Sequence, residues 1–314
     1  MNLPSPFSGI VPPLVTPLTG RDQLDHAGLE RLIERTLAGG VAGLFILGTT
    51  GEGPSLSYRL RAEVIRESCR LVKNRAPVLV GITDTAFVES VALARVAAEA
   101  GANAVVAAPP YYLPEGQPEL RDYLEDLLPE MPLPFFLYNM PSLTKVSFEV
   151  DTIRRFIDDA RIAGVKDSSG NMVYFHRLCH LLRDRPDWSI FMGPEELLLD
   201  AVLAGAQGGV NGGANLFPAL YVALHQAAAR GDFARARHLH DVVLEVSSRL
   251  YQVGRHPSAI IKGIKCALSL EGVCDDFMAE PFRRFRPEDR DRIAEVLATL
   301  KATVTRALSA PTTA

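Results

Sequence analysis

Cysteine is scarce in this chain. Cys69, Cys179, Cys266 and Cys274 form no Cys-x-x-Cys pair, and only the last two lie near each other, eight positions apart. That spacing suits buried thiols in a reducing compartment better than disulfides or zinc. Basic blocks are missing as well: 33 Lys and Arg against 37 Asp and Glu give a formal net charge of −4, spread along the chain, with nothing to attract nucleic acid. No apolar run approaches the ~20 residues of a membrane span, and the first residues lack the charged-then-apolar order of a secretory signal. A cytoplasmic protein with no membrane or nucleic-acid partner is expected. Glycine patterns for a dinucleotide or a P-loop are absent, as are the Gly-x-Ser-x-Gly elbow and His-Glu-x-x-His. His176 and His180 stand at helical spacing with Cys179 between them, but no third ligand accompanies the pair, so neither a metal nor a nucleotide cofactor is expected.

What is present is a globular composition, 47% hydrophobic and 22% charged over 314 residues. Short aliphatic runs at 10–16, 43–47, 78–82, 104–108, 135–138, 162–166, 189–192 and 208–210 read as strands. Each precedes an amphipathic segment, at 27–38, 58–72, 87–100, 118–128, 148–158, 171–183, 195–204 and 217–229. Eight consecutive βα units predict a closed α/β barrel, the (β/α)8 TIM fold, because open doubly wound sheets usually stop at about five to seven strands. Gly101 and Gly205, each between a helix and a strand, are placed as left-handed C-caps. Three further helices, 232–251, 258–270 and 287–308, have no strand between them. The expected organisation is a catalytic barrel over 1–230, a helical extension over 231–308 and a frayed tail over 309–314.

In such a barrel the informative positions are the carboxyl ends of the strands. The sixth ends in Gly164-Val165-Lys166-Asp167-Ser168-Ser169-Gly170. An ordinary lysine, with a pKa of about 10.4, is only roughly 0.04% neutral at pH 7, and burial is one way to make it a nucleophile. The alternative is a structural lysine paired with Asp167. The second strand ends in Gly48-Thr49-Thr50-Gly51-Glu52-Gly53, whose amides and hydroxyls can cradle an anion. The fourth ends in Pro109-Pro110-Tyr111-Tyr112 and the fifth in Tyr138-Asn139-Met140-Pro141, offering phenols for proton transfer. The seventh, Gly193-Pro194-Glu195, offers a carboxylate, and the four glycines around Val210 and Asn211 would let a ligand approach the backbone.

In this order the four motifs Gly48-Thr49-Thr50-Gly51-Glu52, Pro110-Tyr111-Tyr112, Tyr138-Asn139-Met140-Pro141 and Gly164-Val165-Lys166-Asp167 resemble the dihydrodipicolinate synthase / N-acetylneuraminate lyase superfamily of class I, Schiff-base aldolases, over roughly residues 8–300. The resemblance implies that Lys166 forms an imine with pyruvate or another 2-keto acid and that Tyr138 shuttles protons. Thr49 and Thr50, after Gly48, match a hydroxyl pair, one holding the substrate carboxylate and one linking the tyrosines. Val210 sits where a backbone carbonyl faces the adduct. Tyr112 matches a residue that reaches the neighbouring subunit's site, implying a homo-oligomer, a dimer of dimers. True dihydrodipicolinate synthases resemble Tyr-Asn-x-Pro-Ser-Arg-Thr-Gly after strand five, whereas here Leu143 replaces the carboxylate-holding arginine and Lys145 lies two residues further on. The expected reaction is therefore that of a pyruvate-dependent aldolase or lyase on a 2-keto-3-deoxy sugar acid. Dihydrodipicolinate synthase, a keto-deoxy acid dehydratase and a catalytically silent keto-acid sensor are the alternatives.

Overall fold

Several helices begin where a side chain satisfies the first free amides. In the computed structural model, which describes residues 2–254 and 256–309, Asp25, Ser57, Asn171 and Asp232 accept from the amides of Gly28, Leu60, Tyr174 and Arg235. The helices His26–Ala38, Tyr58–Val72, Phe87–Glu99, Gln117–Leu127 and Pro218–Ala229 follow the expected spans. Gly101 and Gly205 take φ of 85° and 110°, in the left-handed region a C-cap requires. The expected helix at 148–158 contracts to Val150–Arg155, and that at 195–204 opens with the 3-10 turn Glu195–Leu197 before Leu198–Leu203.

Eight parallel barrel strands lie between them: β1 (Gly9–Ile10), β2 (Leu44–Ile46), β3 (Val78–Gly81), β4 (Ala104–Ala107), β5 (Phe135–Asn139), β6 (Ile162–Asp167), β7 (Ser189–Met192) and β8 (Gly208–Gly209). The sheet runs β1-β8-β7-β6-β5-β4-β3-β2. A bridge between Pro13 and Phe45 joins its two edges, with the Phe45 amide donating to Pro12 O at 3.0 Å and the Leu14 amide to Phe45 O at 2.8 Å. The first strand is shorter than the expected 10–16 because Pro12 and Pro13 have no N–H to give to a ladder. The expected elements do not include an antiparallel hairpin, Leu18–Gly20 with Gln23–Leu24, or a short helix, Pro141–Thr144.

Alternation along each strand divides the core in two. Phe7, Phe45, Leu79, Val106, Phe136, Tyr138, Phe191 and Val210 fill the barrel interior, while a larger cluster packs strands against helices. Gly208 is glycine because a Cβ there would meet Gly9 O at 1.8 Å, so the first and last strands, β1 and β8, close through it. Phe233–Leu250, Ala259–Leu270 and Pro287–Ser309 form the helical extension. Of the expected tail, only Ser309 is among the described residues, and it ends the last helix.

Candidate active site

Strand register brings the first two site residues together. Tyr138 on β5 pairs with Lys166 on β6, and Asn139 with Asp167 one step on. Successive side chains point to opposite faces, so Tyr138 and Lys166 enter the barrel while Asn139 and Asp167 leave it. Asp167 accepts from Asn139 Nδ2 at 2.8 Å, Ser169 N at 3.1 Å and Ser169 Oγ at 3.0 Å. Its carboxylate is engaged there, on the strand face opposite to Lys166, so the structural pairing of Lys166 with Asp167 does not form.

Lys166 is 6% exposed, and its Nζ lies 4.0 Å from the Tyr138 ring centroid and 4.8 Å from that of Phe45. Burial pushes its amine below the usual lysine range, with the Tyr138 phenol partly opposing the shift. For Tyr138, burial alone raises the phenol. The Lys166 ammonium and hydrogen bonding with Thr49, Ser168 and Lys166 together outweigh this, so the phenol lies below its ordinary value. Each group thus moves toward the form that exchanges protons near neutrality.

Thr49 reaches this pair from β2. Its Oγ1 is 3.3 Å from Tyr138 Oη, across 89 positions of sequence. The turn that carries it is strained: Leu47 and Glu52, flanking Gly48-Thr49-Thr50-Gly51, have φ of 58° and 56°. Thr16 Oγ1 donates to Gly51 O at 2.6 Å, and the Glu52 amide closes the turn on Thr49 O at 3.0 Å. Thr50 is half-buried in this turn, beside buried Gly48. Val210, 4% exposed, belongs to the same interior cluster as Tyr138.

Other expected residues stand apart. Tyr112 is 90% exposed with φ 85°, outside the cluster of its own chain. Leu143, on the short helix after β5, is 51% exposed, and Lys145 folds back to donate to Ser142 O at 2.9 Å. Glu195 does not face the mouth of the barrel. It is buried, accepting from Tyr221 at 2.5 Å, Tyr251 at 2.9 Å and the Gly213 amide at 2.9 Å, and burial raises its carboxyl to about 7. Ser168, whose side chain helps hold the Tyr138 phenol below its ordinary value, was missed, because a serine in a Ser/Gly turn carries no signal of its own. Among the described residues, no three His, Cys, Asp or Glu gather as metal ligands, and no helix is long and apolar enough to cross a membrane.

The profile of the Dihydrodipicolinate synthetase family matches residues 6–301, and the chain belongs to that family. It is 34% identical to the 4-hydroxy-tetrahydrodipicolinate synthase of Thermomicrobium roseum over 289 residues, covering 91% of this chain and 92% of that protein. Among solved structures, the dihydrodipicolinate synthase of Bacteroides thetaiotaomicron superposes with a TM-score of 0.92 at 54% identity, over 94% of this chain and 99% of that one. YagE of Escherichia coli K12, whose structure is in complex with pyruvate, superposes with a TM-score of 0.88 at 29% identity, over 94% and 99%. In sequence YagE, named a putative 2-dehydro-3-deoxy-D-gluconate aldolase, is 31% identical over 249 residues, covering 79% of this chain and 82% of its own. The protein is accordingly an enzyme, a Schiff-base-forming lyase on a (β/α)8 barrel.

Proposed function

We propose that the enzyme is a class I pyruvate-dependent aldolase acting on a 2-keto-3-deoxy sugar acid through an imine on Lys166. The observation that carries this is the buried, carboxylate-free Lys166 amine against the Tyr138 ring, with Thr49 on the phenol. The neutral amine attacks the C2 carbonyl of the keto acid. Tyr138 passes protons so that the carbinolamine oxygen departs as water, leaving a protonated imine. Tyr138 takes the C4 hydroxyl proton as C4 becomes a carbonyl, the C3–C4 bond breaks, and the imine accepts its electron pair, releasing an aldehyde and leaving an enamine. Protonation of the enamine at C3 and hydrolysis then return pyruvate and the free amine. Thr50, with the Gly48 turn amides, holds the substrate carboxylate, Thr49 keeps Tyr138 oriented, and the Val210 carbonyl faces the adduct. No metal or nucleotide takes part in these steps.

Leu143 supports the sugar-acid reading, because an apolar, half-exposed side chain supplies no charge-assisted clamp for a second carboxylate. Dihydrodipicolinate synthase activity is the competing reading, favoured by the names of two of the relatives. Tyr112, exposed and held at a positive φ, supports a dimer of dimers in which it completes a neighbouring subunit's site. Borohydride reduction with pyruvate is expected to add a pyruvate-derived mass to Lys166; an adduct elsewhere, or none, sinks the proposal. A panel of keto-deoxy acids scored for pyruvate release, beside aspartate semialdehyde coupled to its reductase, separates the two substrates.

A further inference from the structure

A second lysine is buried more deeply than Lys166, and it lies in the extension. Lys265 Nζ is 2.7 Å from Glu52 Oε1, with 0% and 1% of the two side chains exposed, and it also donates to Phe277 O at 2.5 Å. The other Glu52 oxygen accepts from the Ala279 amide at 2.8 Å. Both oxygens of a barrel-loop carboxylate are therefore held by the extension, across 213 positions of sequence in the case of Lys265. A buried ion pair is weak evidence of stabilisation, since well-packed neutral residues often do as well. What this pair holds is more informative. Glu52 has φ 56° and ψ 24°, a conformation that a residue with a Cβ adopts only when its surroundings impose it. In that conformation its amide donates to Thr49 O at 3.0 Å, and Thr49 Oγ1 stands 3.3 Å from Tyr138 Oη. At that distance a shift of a few tenths of an ångström breaks the contact.

We propose that Lys265 is a positioning residue for the barrel's proton relay: through Glu52 it holds the strained turn that keeps Thr49 on Tyr138. The extension is then part of the catalytic apparatus as well as a cover for the barrel. The inference rests on the imine chemistry above, so its test uses a partial reaction that needs no second substrate: exchange of the pyruvate methyl protons for deuterium in D2O, followed by NMR. The imine loses a C3 proton to form the enamine, and a deuteron from solvent returns.

The variants are Thr49→Val, the charge-free pair Glu52→Gln with Lys265→Met, and the triple. Gln keeps an acceptor for the Ala279 amide, and Met keeps most of the lysine stem. The double variant is expected to melt near the wild type and exchange about tenfold more slowly or less, as small misplacements of catalytic groups do. The triple should match Thr49→Val alone within about twofold, as expected of residues acting through one contact. If the double exchanges at the wild-type rate, or its loss multiplies with that of Thr49→Val, the inference is overturned while the imine reading stands. If the wild type neither exchanges nor forms an adduct, the imine reading itself fails. Should the double variant melt low, Glu52→Asp keeps the charge and shortens the tether; it is expected to show the same deficit and the same non-additivity with Thr49→Val, and either one missing overturns the proposal.

Discussion

Lys166 and Lys265 are both withdrawn from water, one in the barrel and one in the extension, and they are held in opposite ways. Lys265 meets a carboxylate at 2.7 Å and a backbone carbonyl, a geometry that locks an ammonium in place. Lys166 meets two aromatic rings, one of them the Tyr138 phenol, and the neighbouring carboxylate in sequence, Asp167, is turned outward to Asn139 and Ser169. Burial with an anion makes a strut; burial without one pushes the amine toward its neutral, nucleophilic form.

Replacing each lysine with methionine tests the contrast most severely. Lys166→Met should abolish the pyruvate adduct and reduce turnover to background without loss of stability, because it removes a buried amine that has no anionic partner. Lys265→Met should instead cost about 3–5 kcal/mol in urea denaturation, since it strands the Glu52 carboxylate. Equal destabilisation by the two would break the comparison.

The Tyr138→Phe change keeps the ring over Lys166 and removes the hydroxyl. Turnover should fall by about 10²–10³-fold, the scale of general acid–base catalysis. Because the phenol raises the Lys166 pKa, its loss should move the acidic limb of adduct formation to lower pH. In the wild type, adduct formation should rise with pH and level off above the lowered pKa of Lys166. The sign for stability is the same. Between that lowered value and about 10.4, the unfolded chain binds a proton that the folded lysine has released, so this site's contribution grows as pH rises. Denaturation as a function of pH, with Lys166→Met as the flat control, checks it.

The smallest effect on the fold is expected from Leu143→Arg, at a half-exposed site where stability should change by no more than about 0.5 kcal/mol. It should raise activity with aspartate semialdehyde in the reductase-coupled assay. No rise would show that the carboxylate clamp is not what separates the two substrates.

Local signals carried much of the architecture. The helix Tyr58–Val72 stands where its periodicity placed it, and Gly101 and Gly205 cap where a left-handed residue was needed. Lys166, Tyr138, Thr49 and Val210, picked from strand ends, lie in or against one interior cluster. Glu195 was legible as a residue but not in its direction: the hydroxyls of Tyr221 and Tyr251 that turn it inward come from 26 and 56 positions away. Lys265 offered no signal at all, since a lysine within an apolar helix reads the same whether its head reaches water or a buried carboxylate.

By itself, the sequence determined the eight-fold alternation of strand and helix and the chemistry available at the strand ends, because periodicity and turn residues act within a few positions. Only the tertiary structure decided that Lys166 stands without a carboxylate, that Thr49 touches Tyr138, and that Glu52 is held by the extension. Those outcomes depend on strand register and barrel closure, which set distances of a few ångströms between residues far apart in the chain, and at that range geometry decides which buried lysine meets a carboxylate and which does not.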